Sequence, residues 1–370
     1  MSSATARSAA HHTTRRGALR LAALGTTGGA ATLVGGTALA APGGGPSKAP
    51  AVEPADPITP GATAYVAVQA ATLWVEPDTF RPDVDAPSLG NPTDLEAWNQ
   101  NMPETEPRRW LTGKLETQSV LGGEVLVDEV RGDWAHVVVT AQPTNRDPRG
   151  YPGWVPVVQL AADDAFGALL ASAPTATVTA TRAPLTRTPS GNHPVMEVSF
   201  DTVLPVIGRT GKAVKVAVPG RGPAYLRTED VVVRASGEQP PTPTIEDVIA
   251  TGERFLGLRY LWAGVSAYGF DCSGFTYTMF HHHGITIARD AGDQMHESGL
   301  AVVEREDLRR GDLVFFATKP GGDSIRHVAM YLGDDLILHA PNASRSVEVM
   351  SLTEYDPDGE YAGARRVLEG

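Results

Sequence analysis

The sequence predicts an α+β domain placed behind two small all-β barrels, and three observations carry that prediction. From residue 63 to residue 236 the chain is a series of short runs rich in Val, Leu and Tyr, broken by Gly, Asp and Pro at turn positions, which is the pattern of half-buried strands joined tightly. Gly237 to Pro243 is then a proline-rich joint. Beyond it helical spacing comes first and strands follow, and helices segregated ahead of an antiparallel sheet make an α+β arrangement. With 370 residues and 42% hydrophobic side chains the chain can fill several compact cores.

In chain order, residues 1 to 40 read as a targeting segment. Arg15 and Arg16 form a twin-arginine pair, residues 19–39 are apolar and rich in Ala and Gly, and Ala38-Leu39-Ala40 is a small-residue cleavage pattern. Export through the twin-arginine route is therefore expected. A retained membrane anchor is the competing reading, weakened by the glycines and threonines that interrupt the run. Residues 41–62, with repeated Pro, Gly and Ala, are expected to be a disordered linker. The net charge is -12, and the first 40 residues hold four arginines and no acid, so the remainder is more acidic still. Nucleic acid is excluded as a partner, because neutralising phosphates needs clustered cations, and membrane lipid is not expected as one after signal removal.

Residues 63–162 form the first expected barrel, with strands at residues 124–127 and 134–139 and the turn Arg131-Gly132-Asp133 between them. Residues 77–107 interrupt it with a long polar stretch holding Pro82, Pro87, Pro92 and Pro103; it is a lid or an insertion, with no role assigned. Residues 173–236 form the second barrel, with strands at residues 203–208, 213–218 and 224–226. The last domain spans residues 244–368. Thr244 can cap a helix whose apolar side carries Ile245, Val248, Ile249 and Phe255, and strands are expected at residues 313–316, 328–332 and 336–339.

The chain has one cysteine, Cys272. A lone thiol cannot staple an exported fold, so it is tolerated by burial or used for chemistry. Phe270-Asp271-Cys272-Ser273-Gly274-Phe275 is followed by residues at helical spacing, which sets the thiol at a helix N-terminus, where unpaired N–H groups favour a thiolate and can face the oxyanion formed when it attacks an amide. Gly333-Asp334-Asp335 supplies the loop of a hairpin in which Leu332 pairs with Leu336 and Ala329 faces His339, so that His327 and His339 share one face. Val328, Met330, Leu332, Leu336 and Leu338 then form the opposite, core-facing set. One imidazole can take the thiol proton while the other fixes its tautomer. Cys, His and His is also a zinc ligand set, but the short ligand spacings of zinc sites are missing, and no metal or organic cofactor is expected. His281, His282 and His283 radiate by about 100° each on a helix and read as a solvated helix end.

Tyr260-Leu261-Trp262-Ala263-Gly264, Asp271-Cys272-Ser273-Gly274, residues 310–316, residues 327–331 and His339-Ala340 together resemble the signatures of the NlpC family of papain-like cysteine peptidases, which act on bacterial cell wall. The resemblance implies Cys272 as nucleophile, His327 as general base, His339 as the orienting third residue, Tyr260 near the oxyanion, and Asp271 and Ser273 lining the substrate groove. Both β-rich stretches resemble bacterial SH3 domains, the first through Gly150-Tyr151-Pro152-Gly153-Trp154. Two such domains ahead of the peptidase resemble the branch that cleaves γ-D-glutamyl-L-diamino acid bonds in stem peptides with a free L-alanine. Arg289-Asp290-Ala291 resembles that branch's Arg-Asp-Ser, which implies Asp290 as the amine-binding acid, with Glu124 and Tyr151 closing the amine pocket. Ala291 replaces the serine of that motif, and Trp262-Ala263-Gly264 departs from Trp-Gly-Gly. The expected partners are peptidoglycan stem peptides, and the expected location is secreted or wall-associated. The competing functions are hydrolysis of intact peptidoglycan and non-catalytic wall binding.

Overall fold

The computed structural model describes residues 57 to 369. The twin-arginine segment, its cleavage pattern and the linker up to residue 56 lie outside the described residues. Residues 57–62, expected as the end of the disordered linker, are docked: Ile58 packs on the first β core and the Gly61 N–H donates to Val127 O at 2.8 Å. One apolar side chain and two backbone bonds to Val127, the second from its N–H to Ala62 O at 2.9 Å, hold them there.

The first β unit comprises β1 (Thr63–Val66), β2 (Ala70–Trp74), β3 (Leu115–Val120), β4 (Glu124–Arg131), β5 (Trp134–Val139), β6 (Tyr151–Pro156) and β7 (Leu160–Ala161). They pair antiparallel in the order β3-β2-β6-β5-β4-β1-β7. Alternate residues such as Val125, Val127, Val137 and Val139 point into one core, as period-two patterning requires. Between β2 and β3 the proline-bearing stretch is a helical insertion: α1 (Pro82–Asp85), α2 (Leu95–Gln100) and α3 (Thr105–Arg109). Asp94 caps α2 by accepting the Ala97 N–H at 2.9 Å. Buried Asp85 accepts from Arg81 and, at 2.8 Å, from the Trp98 indole, so the polar appearance of the segment conceals a satisfied interior. Its Leu95, Trp98, Met102 and Leu111 pack with Trp74, Trp134 and Trp154 on one side and with Leu261, Ala263 and Tyr268 of the last domain on the other.

α4 (Asp164–Ser172), capped by Asp163, leads into a second seven-stranded unit: β8 (Thr175–Val178), β9 (Arg182–Thr186), β10 (Pro194–Ser199), β11 (Val203–Thr210), β12 (Ala213–Val218), β13 (Arg221–Arg227) and β14 (Val231–Arg234). The order is β10-β9-β13-β12-β11-β8-β14. Tyr65 and Leu121 of the first unit and Phe166 of α4 enter this second core.

The last domain opens with α5 (Ile245–Glu253), where Thr244 and Asp247 form a reciprocal capping box. A hairpin of β15 (Val265–Ser266) and β16 (Gly269–Phe270) precedes α6 (Cys272–His282) and α7 (Ala291–His296). Then come β17 (Ala301–Val303), β18 (Leu313–Ala317), β19 (Ile325–Gly333), β20 (Leu336–His339), β21 (Glu348–Ser351), α8 (Leu352–Tyr355) and β22 (Tyr361–Arg366). The antiparallel sheet has the order β17-β22-β18-β19-β20-β21. Phe315, Val328, Met330 and Leu338 pack on Phe275, Met279 and Phe280 of α6, and Val314, Phe316, Ala329 and Ile337 form the other face with Leu352 and Tyr355. Met330 pairs with Leu338, which continues the expected register, but the turn is tighter than expected. Asp334 and Asp335 both take positive φ, as a two-residue hairpin loop of the primed type demands, and a bulge between Tyr331 and Gly333 absorbs the extra residue. Leu336, expected in the core, is in consequence 39% exposed. Among the described residues no helix is long and apolar enough to cross a membrane.

Candidate active site

Asp271 sits at the N-cap of α6 in extended conformation, and its carboxylate accepts the Gly274 N–H at 2.6 Å. Gly274 is required sterically: a Cβ there would lie 2.1 Å from the Gly264 carbonyl oxygen. This close approach locks the Tyr260–Gly264 signature against the start of the helix. Ala263, where glycine was the commoner residue, holds φ 66°, a left-handed conformation that costs about 1 kcal/mol for a residue with a Cβ.

Cys272 is buried on the first turn, its sulfur accepting the backbone N–H groups of Ser273 and Val328. Burial pushes the thiol up to about 12 and the Asp271 charge adds to it, while the two N–H groups and Arg289 pull the other way. Desolvation thus outweighs the helix terminus that was expected to favour a thiolate. One residue from Val328, His327 projects from β19 on the same sheet face as His339 of β20, and His327 Nε2 lies 2.9 Å from His339 Nδ1. His327 Nδ1 is buried without a hydrogen-bond partner. Burial draws both imidazoles down, His327 well below its usual value with help from His339 and Arg326, and His339 to about 3 with help from Arg345. The resting set is a thiol beside two neutral imidazoles, so a base is present that can receive a proton. Tyr355 of α8 covers both rings, 4.9 Å from His327 and 4.8 Å from His339 between centroids. No signal in the sequence marks it, since an aromatic residue on a four-residue helix resembles any packing contact.

Tyr260 is buried, and that burial, with the neighbouring Cys272 and Asp271, holds its phenol well above the usual range. It therefore stays a proton donor. Its carbonyl accepts Arg108 Nη1 from α3 at 2.6 Å and its N–H donates to Arg345 O at 3.1 Å.

Asp271 and Ser273, expected to line a groove, spend their polar atoms on Arg289. That fully buried guanidinium donates to Asp271 at 2.8 and 3.1 Å, to Ser273 Oγ at 3.1 Å and to Thr117 Oγ1 of β3 at 3.0 Å. One side chain thus ties the start of α6 to the first β unit. Asp290, next in sequence, accepts the Tyr151 hydroxyl at 2.8 Å across the same boundary. Burial raises its pKa, against the pull of Arg289.

Glu124 is not the acid beside Tyr151. Its carboxylate receives the Thr140 hydroxyl at 3.3 Å, on the edge where β4 pairs with β1. The acid in contact with Tyr151 is Asp290, and a second one, Glu116 of β3, comes near through Arg146: a Cβ on Gly153, two residues from Tyr151, would meet the Glu116 side chain at 3.3 Å, and Arg146 both ion-pairs with Glu116 and lies 5.2 Å over the Tyr151 ring. Strand proximity rather than motif proximity selects it, and no one-dimensional signal marked it.

His281, His282 and His283 are not a solvated helix end. Asp201, in the turn between β10 and β11, accepts from His281 Nδ1 at 2.6 Å and from His282 Nδ1 at 3.0 Å, and His283 meets Thr251 at 2.9 Å.

Comparison with known proteins adds three findings. The model of the NlpC/P60 family matches residues 257–366, and that of the YKFC SH3b2 domain matches residues 178–233. The chain is 47% identical over 307 residues to a γ-D-glutamyl-L-lysine dipeptidyl-peptidase of Bacillus cereus, covering 82% of this chain and 91% of that protein, and 37% identical to one of the same name from Bacillus subtilis, covering 80% and 96%. The crystal structure of an NlpC/P60 family protein from Bacillus cereus superposes with a TM-score of 0.79 at 45% identity, over 83% of this chain and all of that one.

Proposed function

We propose that this chain, which belongs to the NlpC/P60 family of cysteine peptidases, hydrolyses the γ-D-glutamyl-L-diamino acid bond of peptidoglycan stem peptides whose N-terminal L-alanine is free. The observation that carries the reading is the Asp290 carboxylate joined to the Tyr151 hydroxyl at 2.8 Å where the last domain meets the first β unit, with the Arg146–Glu116 pair close by over the Tyr151 ring. A desolvated ammonium needs a carboxylate partner, and an acylated amine has no charge to offer one. In the reaction the thiol of Cys272 adds to the amide carbon as its proton passes to His327 Nδ1. The resulting oxyanion is met by N–H groups of the α6 start and by the Tyr260 phenol. His327 then returns the proton to the leaving amine, the C–N bond breaks, and water, deprotonated by the same imidazole, hydrolyses the thioester. Export is part of the proposal and rests on Arg15-Arg16 and the apolar run after them; lysines at both positions should leave the protein in the cytoplasm.

The test uses L-Ala-γ-D-Glu-L-Lys beside its N-acetyl form. Release of L-Ala-γ-D-Glu from the free peptide only, and none by Cys272→Ala, is expected. Removing the Glu116 charge by Glu116→Gln should raise KM for the free peptide about tenfold or more, as loss of about 1.4 kcal/mol or more of charge pairing requires, whereas Glu124→Gln should leave it unchanged. Equal cleavage of both peptides, or solubilisation of intact wall at a similar rate, would sink the free-amine specificity.

A further inference from the structure

β20 and β21 set His339 directly opposite Glu348. His339 Nε2 lies 3.5 Å from Glu348 Oε1, and both atoms are buried without a hydrogen-bond partner. Arg345 Nε lies 2.7 Å from the same carboxylate oxygen but out of hydrogen-bonding alignment, so a lone pair stays available on that oxygen. His327 Nδ1, His327 Nε2, His339 Nδ1, His339 Nε2 and Glu348 Oε1 therefore form one line, and only its middle link, at 2.9 Å, is a hydrogen bond in this geometry.

A neutral imidazole carries one N–H, so the line has two possible proton arrangements. In the first, His327 Nε2–H donates to His339 Nδ1 and His339 Nε2–H points at Glu348, which leaves the His327 Nδ1 lone pair free for the thiol proton. In the second, His339 Nδ1–H donates inward, the His327 proton sits on Nδ1 and blocks the base, and the His339 Nε2 lone pair faces a carboxylate oxygen. Burial of both rings, which keeps them neutral, makes the choice between the two decisive. A carboxylate accepts a proton and repels a lone pair, so it selects the first arrangement.

We propose that Glu348 is a positioning residue: by holding His339 in its Nε2–H tautomer it keeps His327 Nδ1 unprotonated and ready to take the proton of Cys272. The inference rests on the peptidase reading above.

The full chain with 15N-labelled histidine reports the tautomer of His339 through its ring nitrogen shifts. Wild type should show His339 protonated on Nε2. Glu348→Ala should give a mixture of tautomers and a kcat lower by about 10- to 100-fold, the usual cost of removing a carboxylate that orients a histidine ligand or base, with KM within about twofold. Glu348→Gln, whose amide oxygen accepts the same proton, should stay within about threefold of wild type and keep the Nε2–H form. An Nδ1–H His339 in the wild type, or a Glu348→Ala protein with wild-type kcat, overturns the proposal, as does a Gln variant as impaired as Ala with an unaltered His339 tautomer. Should Glu348→Ala fail to fold, the wild-type spectrum and the Gln variant still decide it. Wild type that cleaves no stem peptide defeats the peptidase reading, while the tautomer still reports on Glu348.

Discussion

Cys272 combines a reactive position with an environment that suppresses its charge. The free amino acid side chain titrates near 8.5, and burial pushes this thiol up to about 12 despite two backbone N–H donors. A neutral thiol next to a neutral base implies that proton transfer accompanies attack instead of preceding it. Alkylation by iodoacetamide tests this without substrate: its rate constant should still be rising at about pH 9 to 10, with no plateau near neutrality. A limb with an apparent pKa below 7 would reveal a preformed thiolate–imidazolium pair and refute the assignment. At this scale the placement of Cys272 at a helix start and of both histidines on one face was legible because Asp-Cys-Ser-Gly and a short hairpin are local. Glu116 and Glu348 were not, because each acquires its partner across strands: Glu116 from a segment whose pairing places it over Gly153, Glu348 from the strand opposite His339.

Among the elements, α6 is tied at both ends to the β units ahead of its own domain. Arg289 with Thr117 of β3 secures the start, and Asp201 from the β10–β11 turn secures the end through His281 and His282. Burial raises the pKa of Asp201, but the two imidazoles outweigh it and hold the carboxyl below its usual 3.8. For His281, burial lowers the pKa and Asp201 more than compensates, leaving it above 6.5. The stabilisation from His281 is complete below about pH 6.5 and fades as pH rises through its raised value; that from Asp201 is complete above about pH 3.8 and fades as pH falls through its lowered value. Asp201→Asn should therefore cost most between about pH 4 and 6.5, on the order of 2 kcal/mol, with the gap in Tm to wild type narrowing by pH 9. A gap independent of pH would show that the contact is not a charge pair. The helical insertion carries the same lesson. Its sequence leaves a lid and an insertion equally open and assigns no role, yet Arg108 reaches the Tyr260 carbonyl and Trp98 enters a shared core.

Across the whole molecule, all six tryptophans belong to the one cluster that joins the first β unit, its insertion and the last domain. Tryptophan fluorescence thus reports that boundary, and far-UV circular dichroism reports every strand and helix. If the boundary is as much a core as the interiors are, the two signals should give coincident thermal transitions. Fluorescence melting at a lower temperature than dichroism would show a separable first unit and a pocket assembled only part of the time.

The sequence by itself determined the α+β arrangement of the last domain, the two β units, the thiol at a helix start and the pairing that sets two imidazoles on one face. Each of these follows from periodicity, capping and turn chemistry within a few residues. Tertiary structure alone decided which acid lies beside Tyr151, what covers the imidazoles, which carboxylate faces His339 and what the proline-bearing insertion does. It also decided the protonation of the thiol, because desolvation depends on everything packed around a group, and no stretch of chain carries that information on its own.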